Sequence, residues 1–171
     1  MAFSYSPKIV TNGLVLYLDA ANPYSYVSGS LNWNDLSRSQ NNGTIVSSFY
    51  DTGNNGSIIF NGTSSYVQTI TNNISNNSSF TLSCWFKITT LNSTYRPLVD
   101  GGNLGVGTAG YTLSIDNNNK LFIAVDSGYT TISTSLSINT WYNITGVASY
   151  GSPYNLSVYV NGVLGTVNTS A

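Results

Sequence analysis

The sequence predicts an all-β fold, a two-sheet antiparallel sandwich, and three observations predict it. Short apolar runs recur about every 8–12 residues between Asn- and Gly-rich turns, the spacing of sandwiches and barrels. No segment sustains a helical period. Asn-Gly dipeptides, which favour the positive φ angles of a type I′ hairpin turn, stand between apolar runs at Asn61-Gly62 and Asn161-Gly162.

Taken in order, residues 1–11 form an extended lead-in, where Pro7 bars a helix and Ile9-Val10 can pair at a sheet edge. The apolar run at residues 14–18 reads as the opening strand, begun by the turn pair Asn12-Gly13. Asp19 and Pro23 close it around a single turn at residues 19–22. Residues 22–43 are a long polar loop holding Tyr24, Tyr26, Trp33 and Asp35, and a loop of that length either packs on itself or serves function. Residues 57–60 and 65–70 are expected to pair as a hairpin across Asn61-Gly62. After a polar connector at residues 71–79, Phe80, Leu82, Cys84, Phe86 and Ile88 alternate with Thr81, Ser83, Trp85 and Lys87. The first set belongs in a core, and Trp85 points the other way beside Lys87. Further strands are expected at residues 110–115, 121–125, 129–133 and 141–148, and a second hairpin joins residues 156–160 to 163–164. With no internal repeat, residues 12–171 read as one domain.

Composition narrows the chemistry. Only 6% of the 171 residues are charged and the net charge is −1, so there is no basic stripe to neutralise phosphates and no nucleic-acid partner is expected. No run approaches the ~18 apolar residues of a membrane span, and the first residues lack the apolar core of a secretory signal; no membrane partner is expected. The lone Cys84 reads as a small buried hydrophobe, since it can form neither an intrachain disulfide nor a cysteine metal cluster. The chain has no His and no Glu, which removes Ser-His and Cys-His nucleophiles, His-ligated metals and the commonest general base. Six Asp remain, at positions 19, 35, 51, 100, 116 and 126. A glycosidase would need two of them facing each other across a cleft, and the chain is read as non-catalytic.

For binding, an aromatic side chain stacked on a sugar face beside amide or charged groups is the recognisable pattern. Trp85 with Lys87, Tyr24 and Tyr26 in the long loop, and Tyr150 and Tyr154 around Pro153 are the candidate glycan-binding residues. Trp33 and Trp141 read as packing residues. Asp35 and Asp19 are best explained as side chains bonded to their own loop backbone.

The segments GLVLYLDAANPYSY (13–26), WNDLSRSQNNGT (33–44), IIFNGTSSYV (58–67), FTLSCWFK (80–87), WYNITGVAS (141–149) and LSVYVNGVLG (156–165) together resemble the laminin-G-like, concanavalin A-like jelly-roll family. The opening segment resembles modules of tailed-phage structural proteins. The resemblance implies a two-sheet jelly roll, usually non-catalytic, that binds carbohydrate or protein and sometimes holds calcium. The family's acidic F-D-G-x-x-D-Y-V segment is here FNGTSSYV (60–67), with both acidic positions replaced. That removes carboxylates a Ca²⁺ site favours, leaving Asp19, Asp35 and Asn61 as candidate oxygen ligands, and no cofactor is required. The family normally continues for a strand or two beyond the point reached at Ala171, so the final strands are expected either in a continuation of the chain or from another chain. The apolar edge Leu14, Leu16 and Leu18 is therefore expected to be an interface, covered on assembly.

The resemblance implies a phage virion structural protein, as a capsid decoration, head fibre or tail-associated module, made in the host cytoplasm and displayed on the particle. Its expected partners are other virion proteins, further copies of itself and surface glycans. The alternatives are an extracellular lectin or adhesin module of a cellular organism and, less favoured, a glycoside hydrolase.

Overall fold

The computed structural model describes residues 9–69, 74, 78–102, 110–126, 128–132, 134–151 and 154–168. Thirteen strands and a single 3-10 turn at Gly53–Asn55 make up its regular structure, and no α-helix occurs among the described residues. The chain divides into two compact units, Met1–Asn73 and Ile74–Ala171.

The first unit holds a three-stranded sheet of β1 (Asn32–Trp33), β2 (Gly43–Val46) and β5 (Tyr66–Thr69), ordered β1-β2-β5, and a two-stranded ribbon of β3 (Phe49–Asp51) and β4 (Ser57–Ile59). The long loop does pack on itself. Tyr26 is buried against Trp33 and Tyr50, with ring centroids 6.3 and 5.0 Å away, and its hydroxyl donates to the Ser30 carbonyl at 3.1 Å.

Two expectations fail here. Residues 14–18 are not a laddered strand, because loop groups occupy their backbone. The Tyr17 N–H donates to Asp35 Oδ1 (2.7 Å), the Tyr17 carbonyl accepts from Leu36 N–H (2.9 Å), and the Val15 carbonyl accepts from Asn41 Nδ2 (2.9 Å). Asn61-Gly62 is likewise no hairpin turn, since β4 pairs with β3 and β5 pairs with β2. The Asn61 carboxamide oxygen instead collects the N–H groups of Thr63, Ser64 and Ser65 at 2.9–3.1 Å, folding a polar loop around itself. Ile9 and Val10 are exposed and lie in no strand; residues 1–8 of the lead-in lie outside the described residues, as do most of the 71–79 connector, Pro153 and Ser133.

The second unit is a sandwich of two four-stranded antiparallel sheets. One has the order β10-β9-β8-β7, from β7 (Arg96–Asp100), β8 (Tyr111–Ile115), β9 (Leu121–Val125) and β10 (Gly128–Ile132). The other has the order β13-β12-β11-β6, from β6 (Phe80–Lys87), β11 (Trp141–Ser149), β12 (Asn155–Val160) and β13 (Val163–Asn168). Alternation sets the faces: Leu82 and Phe86 of β6, Ile144 and Ala148 of β11, and Leu156, Val158 and Val160 of β12 turn inward to meet Leu113, Ile115, Leu121, Ile123, Val125 and Ile132 of the facing sheet. The fully buried members are aliphatic and mostly β-branched or Leu, the composition that fills a sandwich interior. Gly146 marks a point of close approach, where a Cβ would lie 2.7 Å from Ile123 Cδ1 and 2.8 Å from Leu113 Cδ1. The Asn161-Gly162 hairpin forms as expected, with φ of 50° and 77° and Val160 opposite Val163. The fold is thus an all-β sandwich of the jelly-roll class.

Candidate functional site

Strict alternation on β6 and β11 builds one outward face. Register places Trp85 opposite Asn143, Lys87 opposite Trp141, and Ser83 opposite Thr145. Residues sharing a face on neighbouring antiparallel strands stand close enough for their side chains to interact. The result is a shallow depression of about 440 Å³ lined by Trp85, Trp141, Asn143 and Asn161.

Trp85 presents its ring to solvent, with 68% of its surface exposed. Its surroundings are fixed by amides. Asn161, held at positive φ in the β12–β13 turn, accepts the Asn143 N–H through Oδ1 at 2.9 Å and donates its own N–H to the Asn143 carbonyl at 2.8 Å. The Asn143 Nδ2 donates to Ser83 Oγ (3.3 Å) and to the Cys84 carbonyl (3.4 Å), and the Ser83 and Thr145 hydroxyls share a bond of 2.9 Å. Trp141 is half-buried, with the Lys87 ammonium 5.2 Å from its ring centroid. The indole Nε1 of Trp141 is buried with no hydrogen-bond partner among the described residues. An exposed aromatic plane beside ordered amides and hydroxyls offers stacking to the apolar face of a sugar and hydrogen bonds to its rim.

Of the residues singled out from the sequence, Trp85 and Lys87 meet at this face. Trp141, expected to be a packing residue, is half-buried and also lines the depression, and Asn143 and Asn161 join it from outside the sequence-derived candidates, although alternation within 141–148 already puts Trp141 and Asn143 on one face. Tyr24 is 83% exposed but belongs to the first unit. Tyr26 and Tyr154 are corrected to packing residues: Tyr26 is buried in its aromatic cluster, and Tyr154 is buried in the sandwich core. Tyr150 remains half-exposed, edge-on to Tyr154 at 5.6 Å, with its backbone N–H donating to Ser79 Oγ. Leu14, Leu16 and Leu18 are half-buried.

The candidate oxygen ligands are engaged locally. Asp35 accepts four bonds, from the N–H groups of Tyr17, Ser37 and Asn41 and the Ser37 hydroxyl, at 2.6–2.8 Å. Burial acts to raise its pKa, but the bonds from Ser37, Tyr17 and Asn41 outweigh burial and hold the carboxyl below the ordinary value. Asp19 accepts from the Ala21 N–H at 3.0 Å and the Tyr17 hydroxyl at 3.2 Å. The Asn61 oxygen is surrounded by its own loop donors. Among the described residues no group of three or more His, Cys, Asp or Glu side chains converges. The donor set of these three residues does not fit a calcium ion, which wants six to eight oxygens converging on one point.

A second groove, of about 360 Å³, lies on the other sheet between exposed Tyr95 and Tyr129, with buried Phe122 and Ala124 among its lining residues. Asp116 and Asp126 also line it, but they sit at opposite ends of β9. Asp116 pairs through its backbone with Lys120 and Asp126 with Gly110. At ~3.3 Å per residue their backbones are roughly 20 Å apart, well beyond the ~5–9.5 Å between the two carboxyl groups of a glycosidase.

A family model described as the concanavalin A-like lectin/glucanases superfamily, laminin-G type, matches residues 61–171. The chain belongs to this superfamily. Both sheets of the sandwich and the Trp85 face lie inside the matched region, and residues 13–60, which carry the opening segments of the sequence resemblance, lie before it. Among solved structures the chain is similar to an S-layer domain-containing protein (residues 221–444) from Clostridium thermocellum ATCC 27405, at 20% identity and a TM-score of 0.52, covering 90% of this chain and 73% of that one. At that identity the likeness shows the fold alone. No curated protein sequence matches the chain.

Proposed function

We propose that this concanavalin A-like chain is a non-catalytic carbohydrate-recognising module. The observation that carries the reading is the solvent-facing indole of Trp85 in a depression lined otherwise by Trp141, Asn143 and Asn161. A soluble sandwich has no packing use for an indole placed there, whereas a sugar face does. The non-catalytic part rests on the absence of His and Glu and on the separation of Asp116 from Asp126. The test is a glycan array probed with the wild-type chain and with Trp85→Ala. Saccharide-specific binding that falls at least tenfold in the variant is the expected result, since aromatic stacking and its desolvated rim dominate such sites. Silence of the wild type across the array refutes the reading.

We further propose display on a virion as the setting. What supports it is the resemblance of residues 13–26 to modules of tailed-phage structural proteins, together with a surface whose polarity comes from Asn, Ser, Thr and Tyr instead of charge. Particle density that this chain fits is the expected observation; recovery solely as free secreted protein refutes it and favours a cellular lectin or adhesin.

A further inference from the structure

The Trp85 face has a charge signature as well as a shape. Strands β6, β11, β12 and β13 hold one charged residue among them, Lys87. All six Asp lie elsewhere, at 19, 35 and 51 in the first unit and at 100, 116 and 126 on or beside the facing sheet. No described carboxylate pairs with the Lys87 ammonium, whose neighbour is the Trp141 ring at 5.2 Å. An ammonium over an indole at an exposed site is held weakly, so it is free to change partners. Lys87 follows Trp85 by two residues on the same face, which puts their backbones ~6.5–7 Å apart. The flexible lysine arm therefore reaches the rim of a sugar stacked on Trp85.

Resting on the carbohydrate reading, we infer that this face selects an acidic glycan, one whose sugars carry a carboxylate or sulfate group, with Lys87 pairing to the anionic substituent of the sugar stacked on Trp85. Asn143 and Asn161 are neutral, the Asn161 Oδ1 held by the Asn143 backbone N–H and the Asn143 Nδ2 by Ser83 Oγ and the Cys84 carbonyl, so they add no charge preference. With a net charge of −1 and few charges anywhere, the chain has no long-range field to attract polyanions in general, and the preference is local to this one cation.

The experiment measures affinity of the full chain for four probes: an oligogalacturonate, its neutral methyl ester, a dextran sulfate oligosaccharide and unmodified dextran. The acidic member of one pair or both is expected to bind roughly three- to tenfold tighter than its neutral partner in low salt, the worth of one exposed charge-assisted contact, and the margin should shrink in 0.5 M NaCl. Which pair shows the margin tells carboxylate from sulfate. Lys87→Gln should erase the margin, read as the ratio of acidic to neutral affinity within the same variant, Lys87→Arg should keep it, and Trp85→Ala should weaken all binding at least tenfold; a thermal melt confirms that each variant folds. Equal affinity for acidic and neutral partners, or a margin that survives Lys87→Gln, overturns the inference and leaves the carbohydrate reading standing. Failure to bind any probe here, together with silence on the array, overturns both.

Discussion

Replacing Gly146 with Ala adds one methyl group at a place where the two sheets leave no room for it. The new Cβ would sit 2.7 Å from Ile123 Cδ1 and 2.8 Å from Leu113 Cδ1, side-chain ends that could swing aside in a looser site. Both residues are fully buried, however, and the Cβ of Ile123, 3.1 Å away, is fixed to its backbone. Relief thus requires β9 to move relative to β11. Overpacking of this kind costs ~1–3 kcal/mol, while replacing Gly stiffens the unfolded chain and returns ~0.4–1 kcal/mol. The net is a destabilisation of about 1–2 kcal/mol, or roughly 5–15 °C in the melting temperature of a cooperative unit of this size. Thermal and urea melts followed by tryptophan fluorescence measure it. Ile123→Val, which removes the closest carbon, costs ~0.5–1.5 kcal/mol alone but should be partly offset when combined with Gly146→Ala, giving a coupling of ~0.5 kcal/mol or more. A Gly146→Ala chain as stable as wild type, or additive effects in the double variant, would refute the close-approach argument.

Two further expectations follow from individual side chains. Asp35→Asn replaces a carboxylate that accepts four bonds with a group whose Nδ2 must face donors, and should cost about 2–4 kcal/mol in the first unit. Because the folded pKa of Asp35 lies below its unfolded value, its contribution is complete above the unfolded pKa and is lost as pH falls through the folded one; acid melts of wild type should steepen below about pH 4, a component absent from the variant. Burial pushes the Cys84 thiol up to about 12, so the native chain should resist Ellman's reagent at pH 8 and react only as the sandwich opens. Rapid labelling of native protein would contradict that placement.

Much of the sandwich is legible in the sequence because its faces alternate and every strand pairing in it but that of β6 with β11 joins neighbours in the chain. β6 can be read directly from Phe80, Leu82, Cys84 and Phe86, and Trp85 and Lys87 follow as the other face. The two Asn-Gly pairs show where local reading ends. Asn161-Gly162 is bounded by Val160 and Val163, which pair at once, whereas Asn61-Gly62 is followed by Thr63, Ser64 and Ser65, whose N–H groups the Asn61 carboxamide gathers before any strand can pair. The apolar run at 14–18 looks like a strand by composition, but its backbone is captured by Asp35 and Asn41, some 18 to 26 positions further on. Trp141 and Asn143 join the site through cross-strand register, which one segment alone does not encode. Tyr26 and Tyr154 illustrate a different limit: an amphipathic ring suits a pocket rim and a core corner equally, and only the surrounding fold decides.

The openness of the Trp85 face bears on how such a module would work in number. If the carbohydrate reading holds, a depression walled by one hairpin turn and a second indole would leave most of a bound sugar hydrated, and each site would hold its ligand briefly and gently. Weak contacts of this sort become retention when many copies are fixed at spacings that match a repeating polymer, because every engaged site raises the local concentration seen by the next, and avidity can exceed the single-site affinity by 10²–10⁴. On an array of such domains, grip and release would then be set by how many copies touch the same polysaccharide chain, and a particle could roll across a coated surface without any one domain binding tightly.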